Sequence, residues 1–127
     1  MAESRAFSSI ILDDAQRLQD ELDNGVDPNM TNRNGDSLLK QAALFDRPNL
    51  IRMLLDRKAS AQDTTRNGIT ALHVACAFVS DGASETAALA LLLDRGADIN
   101  KRENTNGLSP LHIAAMLRHT AAVKLLL

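Results

Sequence analysis

Aromatic residues are scarce in this sequence, which has three Phe, no Tyr and no Trp. Because β-sandwiches usually draw on aromatic and β-branched residues, this shortage argues against that fold class. The hydrophobic residues make up 45% of the chain and are mostly Leu and Ala, which favours helices packed closely through small side chains. A chain of 127 residues is short for two domains, so we expect one cooperative unit with a modest core.

Excess charge and long apolar segments are also lacking. A formal net charge of -2 gives no overall attraction to nucleic acid or to anionic lipid. The longest apolar run, Ala87 to Leu93, is too short to cross a bilayer, and Met1 to Arg5 has no secretory signal pattern. The single cysteine, Cys76, excludes an intramolecular disulfide and is expected to be inert core in a reducing compartment. We therefore predict a soluble cytoplasmic protein that binds neither nucleic acid nor membrane.

The most informative feature of the sequence is an internal repeat. The segment from Asn34 to Lys40 aligns with Asn67 to His73 and with Asn106 to His112, and the glycines of these segments are 33 and 39 residues apart. A second match aligns Leu54 to Ser60 with Leu92 to Asp98. Two sets of matches in the same register indicate a chain built from repeated units.

These segments resemble the ankyrin family, whose repeat of about 33 residues has a Thr-Pro-Leu-His turn and a Gly-Ala-Asp-x-Asn tail. The fullest matches are Ser109 to Ala115 and Leu91 to Asn100. The resemblance implies an all-α fold, an ankyrin-repeat solenoid of antiparallel helix pairs with projecting hairpin loops. We expect one domain, residues 1–127, with a degenerate N-terminal capping repeat at 1–31, a repeat at 32–64, a repeat with an insertion at 65–103 and a truncated repeat at 104–127.

The residue types at the expected helix ends agree with this fold. Ser37, Thr70 and Ser109 each stand where a side-chain oxygen can cap a first helix. Pro110 then follows at a helical position that needs no amide hydrogen. Each first helix therefore has a start signal.

One repeat departs from its neighbours at the end of its second helix. Gly25 and Gly96 stand at this position in the adjacent copies, whereas the copy between them has Lys58. Glycine adopts the left-handed conformation that ends a helix without a steric penalty, while a side chain there costs on the order of 1 kcal/mol. We therefore predict that Lys58→Gly stabilises the fold.

The repeat at 65–103 is six residues longer than its neighbours. Five extra residues fall around Val79 to Ala88, between its paired helices, and one falls in the loop from Lys101 to Glu103. In the N-terminal unit we expect Leu18 and Leu22 to pack inward. At the other end the sequence stops within a second helix, so either further repeats follow or the stack ends there.

The residue patterns of common catalytic sites do not occur in the sequence. We find no phosphate-cradling glycine loop, metal-ligand cluster or nucleophile elbow. His73 and His112 belong to the turn motif, in which the family uses the ring for hydrogen bonds that tie adjacent loops together. His119 falls on the next helical segment after His112, so a metal-binding pair is not expected. We predict no catalytic residue, metal or cofactor, and no small-molecule substrate.

Partners of ankyrin repeats usually touch the loop tips and the outward side of the first helices. The resemblance therefore implies a partner-binding surface at the tip positions Arg33, Asn34, Asp36, Arg66, Asn67, Ile69, Thr105 and Leu108, and at the helix positions Phe45, Phe78, Met116 and Leu117. Two explanations of the apolar helix positions are open. Phe45, Phe78 and Leu117 either tuck between stacked helices, or form an apolar ridge that awaits a partner and is flanked by Arg33 and Arg66.

Three functions are compatible with these features. The first is a protein–protein interaction module that binds a partner through its concave face and loop tips. The alternative is a stoichiometric inhibitor or immunity-type protein that blocks a partner's active site, which an acidic concave surface would favour. The third, a catalytic protein with an ankyrin appendage, requires sequence beyond Leu127.

Overall fold

In the computed structural model, residues 2–62, 67–78 and 86–127 are described. These residues form eight helices, which follow one another in pairs: α1 Ala2–Ile11, α2 Ala15–Asp23, α3 Leu38–Leu44, α4 Pro48–Asp56, α5 Ala71–Ala77, α6 Ala87–Asp94, α7 Pro110–Met116 and α8 Thr120–Leu126. The β-structure of the described residues is one isolated antiparallel bridge between Thr31 and Ser37. The prediction of an all-α stack of helix pairs is confirmed.

The first helix of each later pair begins at the residue that the sequence predicts. The side chains of Ser37, Thr70 and Ser109 accept hydrogen bonds from the backbone N–H groups three residues ahead, at donor–acceptor distances of 3.0 to 3.3 Å. In α5 and α7 a histidine ring returns a second bond to the backbone of the capping residue. These reciprocal bonds satisfy amide groups that a helix start otherwise leaves unpaired.

A residue with a left-handed backbone conformation follows each helix of a pair. The second helices end with Gly25 at φ 98°, Lys58 at φ 74° and Gly96 at φ 90°, so the predicted conformation of Lys58 is confirmed. A second set, which the sequence analysis did not identify, follows the first helices: Asp13, Asp46 and Arg118 have φ values of 55°, 53° and 60°. Asp favours this region more than most residues, whereas Arg118 has no such preference.

The helices form two layers with the core between them. In one layer α1 packs on α3, α3 on α5 and α5 on α7, while in the other α2 packs on α4 and α4 on α6. Leucine and alanine dominate the buried residues. Leu18 and Leu22 are buried as predicted, and Cys76 is fully buried, which raises the pKa of its thiol to about 12. Cys76 is therefore inert core.

The N-terminal unit is a pair of helices, α1 and α2. The helix α1 packs on both α2 and α3, and it contributes Ala6 and Ile10 to the core. Arg47 ties this helix to the next unit, because its guanidinium donates to the carbonyls of Ile10 at 3.1 Å and Ile11 at 2.9 Å.

Side chains also tie the tail of each unit to the tail of the next. The Asn29 amide oxygen accepts from the N–H of Ser60 at 2.7 Å. One unit later, the Gln62 oxygen accepts from the N–H of Asp98 at 3.1 Å. The same bond thus recurs along the stack, which supports the common register of the units.

Two sequence predictions fall outside the described residues. One is Arg66, and the other is most of the insertion around Val79 to Ala88. Within the described ranges, no helix is both long enough and apolar enough to span a lipid bilayer.

Candidate functional site

The loop tip before α7 is organised by one carboxylate. Glu103 accepts hydrogen bonds from the N–H groups of Thr105 at 2.9 Å, Asn106 at 2.8 Å and Leu108 at 3.0 Å. Its side chain is buried, and the bond from Leu108, followed by those from Asn106 and Thr105, lowers the pKa of the carboxyl group. The carboxylate therefore holds the tip in one conformation through three bonds from backbone N–H groups.

In the loop tip before α3, an asparagine holds the backbone in the same way. The Asn32 side chain accepts from the N–H groups of Asn34 at 2.9 Å and Asp36 at 3.0 Å. The tip that begins at Glu103 has one residue more before its glycine, and the longer glutamate side chain spans the added distance. The sequence held a signal for this role, because Glu103 lies in the loop where the alignment places a one-residue insertion.

The tip at 103–108 also rests on the turn before it. The N–H of Asn104 donates to the carbonyl of Asn67 at 2.6 Å. Gly68 has a φ of 75°, and a Cβ atom added to it would lie 2.7 Å from the Asn104 side-chain oxygen, so a larger residue here would displace that side chain. Consecutive tips thus support each other.

His73 connects its own helix to the following tip. Its Nδ1 accepts from the N–H of Thr70 at 3.1 Å, which places the proton on Nε2, and Nε2 donates to the carbonyl of Leu108 at 3.0 Å. The ring is 1% exposed, and burial lowers the pKa of His73 below its usual value. The predicted tie between adjacent loops is confirmed for His73.

The other two histidines differ from His73. His112 bonds to the cap residue Ser109 and is exposed, and within the described part of the chain its ring makes no tie to another loop. His119 makes a tie that the sequence analysis missed, because its Nδ1 lies 2.7 Å from the carbonyl oxygen of Cys76 in the preceding unit.

Between the first helices and the loop tips runs a groove of about 430 Å³, here called the concave groove. Its walls come from three successive units and are mostly apolar. It is lined by Asp36, Lys40, Gln41, Leu44, Ile69, His73, Val74, Ala77, Phe78, Glu103, Asn106, Leu108 and Ile113. Asp36 is not a free charge, since it pairs with Lys40 at 2.8 Å and accepts from Gln41 at 3.3 Å.

A family model described as "Ankyrin repeats (3 copies)" matches residues 11–103 and 61–127. The chain belongs to the ankyrin-repeat family. Modules of this family generally bind proteins and are typically non-catalytic. The resemblance predicted from the turn and tail motifs is thereby confirmed.

Two curated relatives contain a similar ankyrin-repeat region. The chain is 30% identical over 109 residues to the nuclear factor NF-kappa-B p105 subunit of Gallus gallus, which covers 84% of this chain and 11% of that protein. It is 37% identical over 107 residues to the B-cell lymphoma 3 protein homolog of Mus musculus, covering 81% of this chain and 23% of that protein. The chain thus spans less than a quarter of the length of either relative.

The ankyrin-repeat scaffold places the predicted site residues in three groups. Asp36, Ile69, Phe78 and Leu108 line the concave groove. Exposed loop-tip positions outside the lining are Arg33, Asn34, Asn67 and Thr105, and exposed positions at the helix ends are Phe45, Met116 and Leu117. Arg66 is outside the described residues. The groove therefore collects four of the predicted residues from three repeats.

The exposures of the apolar helix ends favour the ridge over side chains tucked between the stacked helices. Phe45 is 38% exposed, Phe78 54% and Leu117 49%. Equivalent positions of the first unit, Ile11 and Leu12, are 54% and 63% exposed; the sequence analysis missed them because no turn motif marks that unit.

Together the exposed apolar side chains at the ends of the first helices form a surface that we call the apolar ridge. Its members are Ile11, Leu12, Leu44, Phe45, Phe78, Met116 and Leu117. They are seven of the nine large apolar side chains that are exposed within the described ranges, the other two being Leu125 and Leu127. The ridge shares Leu44 and Phe78 with the concave groove.

Proposed function

We propose that this chain is a protein-binding module with no catalytic role, and that it docks a partner protein in the concave groove. The observation that carries the proposal is the groove itself, an apolar channel of about 430 Å³ whose walls come from three repeats. Stacked helices lie about 8–10 Å apart, so three units extend over roughly 20 Å. That length suits a segment of polypeptide.

The polar groups around the groove favour binding over catalysis. His73 uses both ring nitrogens in bonds within the fold, and the Glu103 carboxylate is occupied by three backbone N–H groups. A general acid or base needs an atom within reach of the substrate proton, whereas both of these side chains are engaged in bonds within the fold. Both residues instead hold the groove wall in a fixed shape before a partner arrives, which lowers the entropic cost of binding.

The groove gives less support to the inhibitor alternative. An acidic concave surface would favour that function, but Asp36 is neutralised by Lys40 and Glu103 is enclosed by backbone amides. These are the two carboxylates among the described residues that line the groove. A mainly apolar surface fits a partner with apolar side chains better than a cationic active site.

The test is affinity capture with a blocked groove. Gln41→Arg combined with Asn106→Arg places a long side chain on each wall without touching the core. The matched control is Asn49→Arg combined with Ala90→Arg, which adds the same charge at exposed positions of the outer helices α4 and α6. We expect a stoichiometric partner from source-cell extract to be captured by the wild type and by the control and lost from the blocked variant. Equal capture by both variants would contradict the proposal.

A further inference from the structure

The apolar ridge repeats with the same register as the units. Ile11 and Leu12 in the first unit are equivalent to Leu44 and Phe45 in the second, 33 residues later. Met116 and Leu117 stand at the same position of the fourth unit, and in the third unit Phe78 occupies the second place of the pair. The exposed fractions are 37% to 66%, so a stripe about two residues wide runs along the described part of the stack.

The residue after each pair adds a charge that changes sign along the stripe. In the first and second units it is an aspartate, Asp13 and Asp46, and in the fourth it is Arg118. All three have left-handed backbones, and their side chains have no ion pair among the described residues. The nearby cation Arg47 is already committed to the carbonyls of Ile10 and Ile11. The stripe is therefore flanked by negative charge at one end and by positive charge at the other.

The spacing of the stripe selects a helical partner. Adjacent units are about 8–10 Å apart, and seven residues of an α-helix rise about 10.5 Å, returning the side chain almost to the same face. An extended strand covers the step in about three residues, but residues three apart point to opposite faces. A helix therefore presents a side chain to every unit, whereas a strand does not.

We propose that the apolar ridge binds an amphipathic α-helix of a partner protein, laid along the stack with apolar residues every seventh position. Its basic half lies beside Asp13 and Asp46, and its acidic half lies beside Arg118. This inference rests on the proposed protein-binding function and adds a second surface with a defined class of partner. The ridge of a solenoid follows its curvature, and a single helix bends gently along such a surface, while a second rigid copy of the stack touches only part of it.

The experiment uses a displayed library of random 28-residue peptides selected on the wild-type chain. We expect the selected peptides to show a seven-residue apolar period, with basic residues in one half and acidic residues in the other. The double variant Leu12→Ser with Met116→Ser removes two strongly exposed ridge side chains, 63% and 66% exposed, and should weaken binding of a selected peptide by roughly tenfold or more. Leu125→Ser, at a leucine of α8 that is 41% exposed and lies off the ridge, is the matched control and should change nothing.

Two further arms separate this inference from the proposed function. The double variant Asp13→Asn with Asp46→Asn removes two charges and keeps residues that tolerate a left-handed backbone. It should lower the affinity of the selected peptide by about threefold to tenfold, and the remaining affinity should depend less on salt concentration. Asn106→Arg alone, at an exposed loop-tip position of the groove that is not part of the ridge, should leave peptide binding intact. If peptide binding is lost only in this groove variant, the result would support the proposed function and overturn the proposal that a helix binds the ridge.

Other results would also overturn the inference. These are an alternating apolar pattern in the selected peptides, no selected peptide at all, or equal binding to wild type and to Leu12→Ser with Met116→Ser. Light scattering on a sizing column should show a wild-type monomer; a dimer that dissociates in the ridge variant would assign the stripe to a second copy of the chain. Circular dichroism should show the same helicity in every variant.

Discussion

His73 and Glu103 hold the same residue of the groove wall from opposite sides. The His73 ring donates to the carbonyl of Leu108 at 3.0 Å, and the Glu103 carboxylate accepts from the N–H of Leu108 at 3.0 Å. One side chain comes from the helix of the third unit and the other from the base of the tip. Because Leu108 lines the concave groove, these two bonds fix the wall to which we assign partner binding.

Loss of the His73 ring should therefore destabilise the fold. We expect His73→Ala to reduce the free energy of unfolding by about 1–3 kcal/mol, since it leaves buried backbone groups without partners. His112→Ala is the matched control, because His112 has the same motif position but is exposed, and it should cost far less. Urea unfolding of both variants measures the difference, and equal losses would refute the role given to the tie from His73 to Leu108.

Acidification should weaken the fold in two steps of the same sign. The pKa of His73 is lowered on folding, so its contribution is complete above the unfolded value of about 6.5 and is lost as the pH falls through the folded pKa. The pKa of Glu103 is also lowered, so its contribution is complete above about 4.3 and is lost below that. In both cases the unfolded chain binds more protons than the folded chain.

Unfolding midpoints in urea between about pH 7.5 and about pH 2.5 test this order, because the lower step lies below about pH 4.3. The variant His73→Gln should lose the upper step and keep the lower one, and Glu103→Gln should lose the lower step. A wild-type midpoint that rises on acidification from about pH 6.5 would contradict the assignment.

Lys58 offers a test of backbone strain. Its φ of 74° matches the glycines at the equivalent positions, so Lys58→Gly should raise the free energy of unfolding by about 1 kcal/mol. The reciprocal change, Gly96→Lys, should lower it by a similar amount, because an added Cβ meets no atom there within 4 Å and the penalty is conformational. A Lys58→Gly midpoint at or below that of the wild type would show that the strain is offset elsewhere.

The stability lost when Phe45 is truncated tests whether its ring lies on the surface or in the core. Truncating a buried ring to alanine lowers the free energy of unfolding by about 3–5 kcal/mol, but Phe45 is 38% exposed. We therefore expect Phe45→Ala to cost about 1–2 kcal/mol, less than Leu72→Ala at a fully buried position. Thermal or chemical unfolding compares the two, and equal costs would place the Phe45 ring in the core.

The features that the sequence predicted well depend on neighbours within a few residues or on the repeat register. Ser37, Thr70 and Ser109 cap the helices that follow them through bonds from N–H groups three residues ahead. The conformation of Lys58 follows from the glycines at equivalent positions. The sequence analysis missed the role of Glu103, because its bonds form only when the tip folds back on the carboxylate. It left the exposure of Phe45 open, because exposure depends on how closely the next unit covers the helix end.

A photo-crosslinking amino acid placed at position 41 or 106 tests most directly whether a partner protein occupies the concave groove. The same amino acid at position 49 or 90, on the outer helices, is the control. The account predicts a covalent adduct with one partner protein from source-cell extract at positions 41 and 106, and none at 49 and 90. Adducts at 49 or 90 without any at 41 and 106 would contradict it.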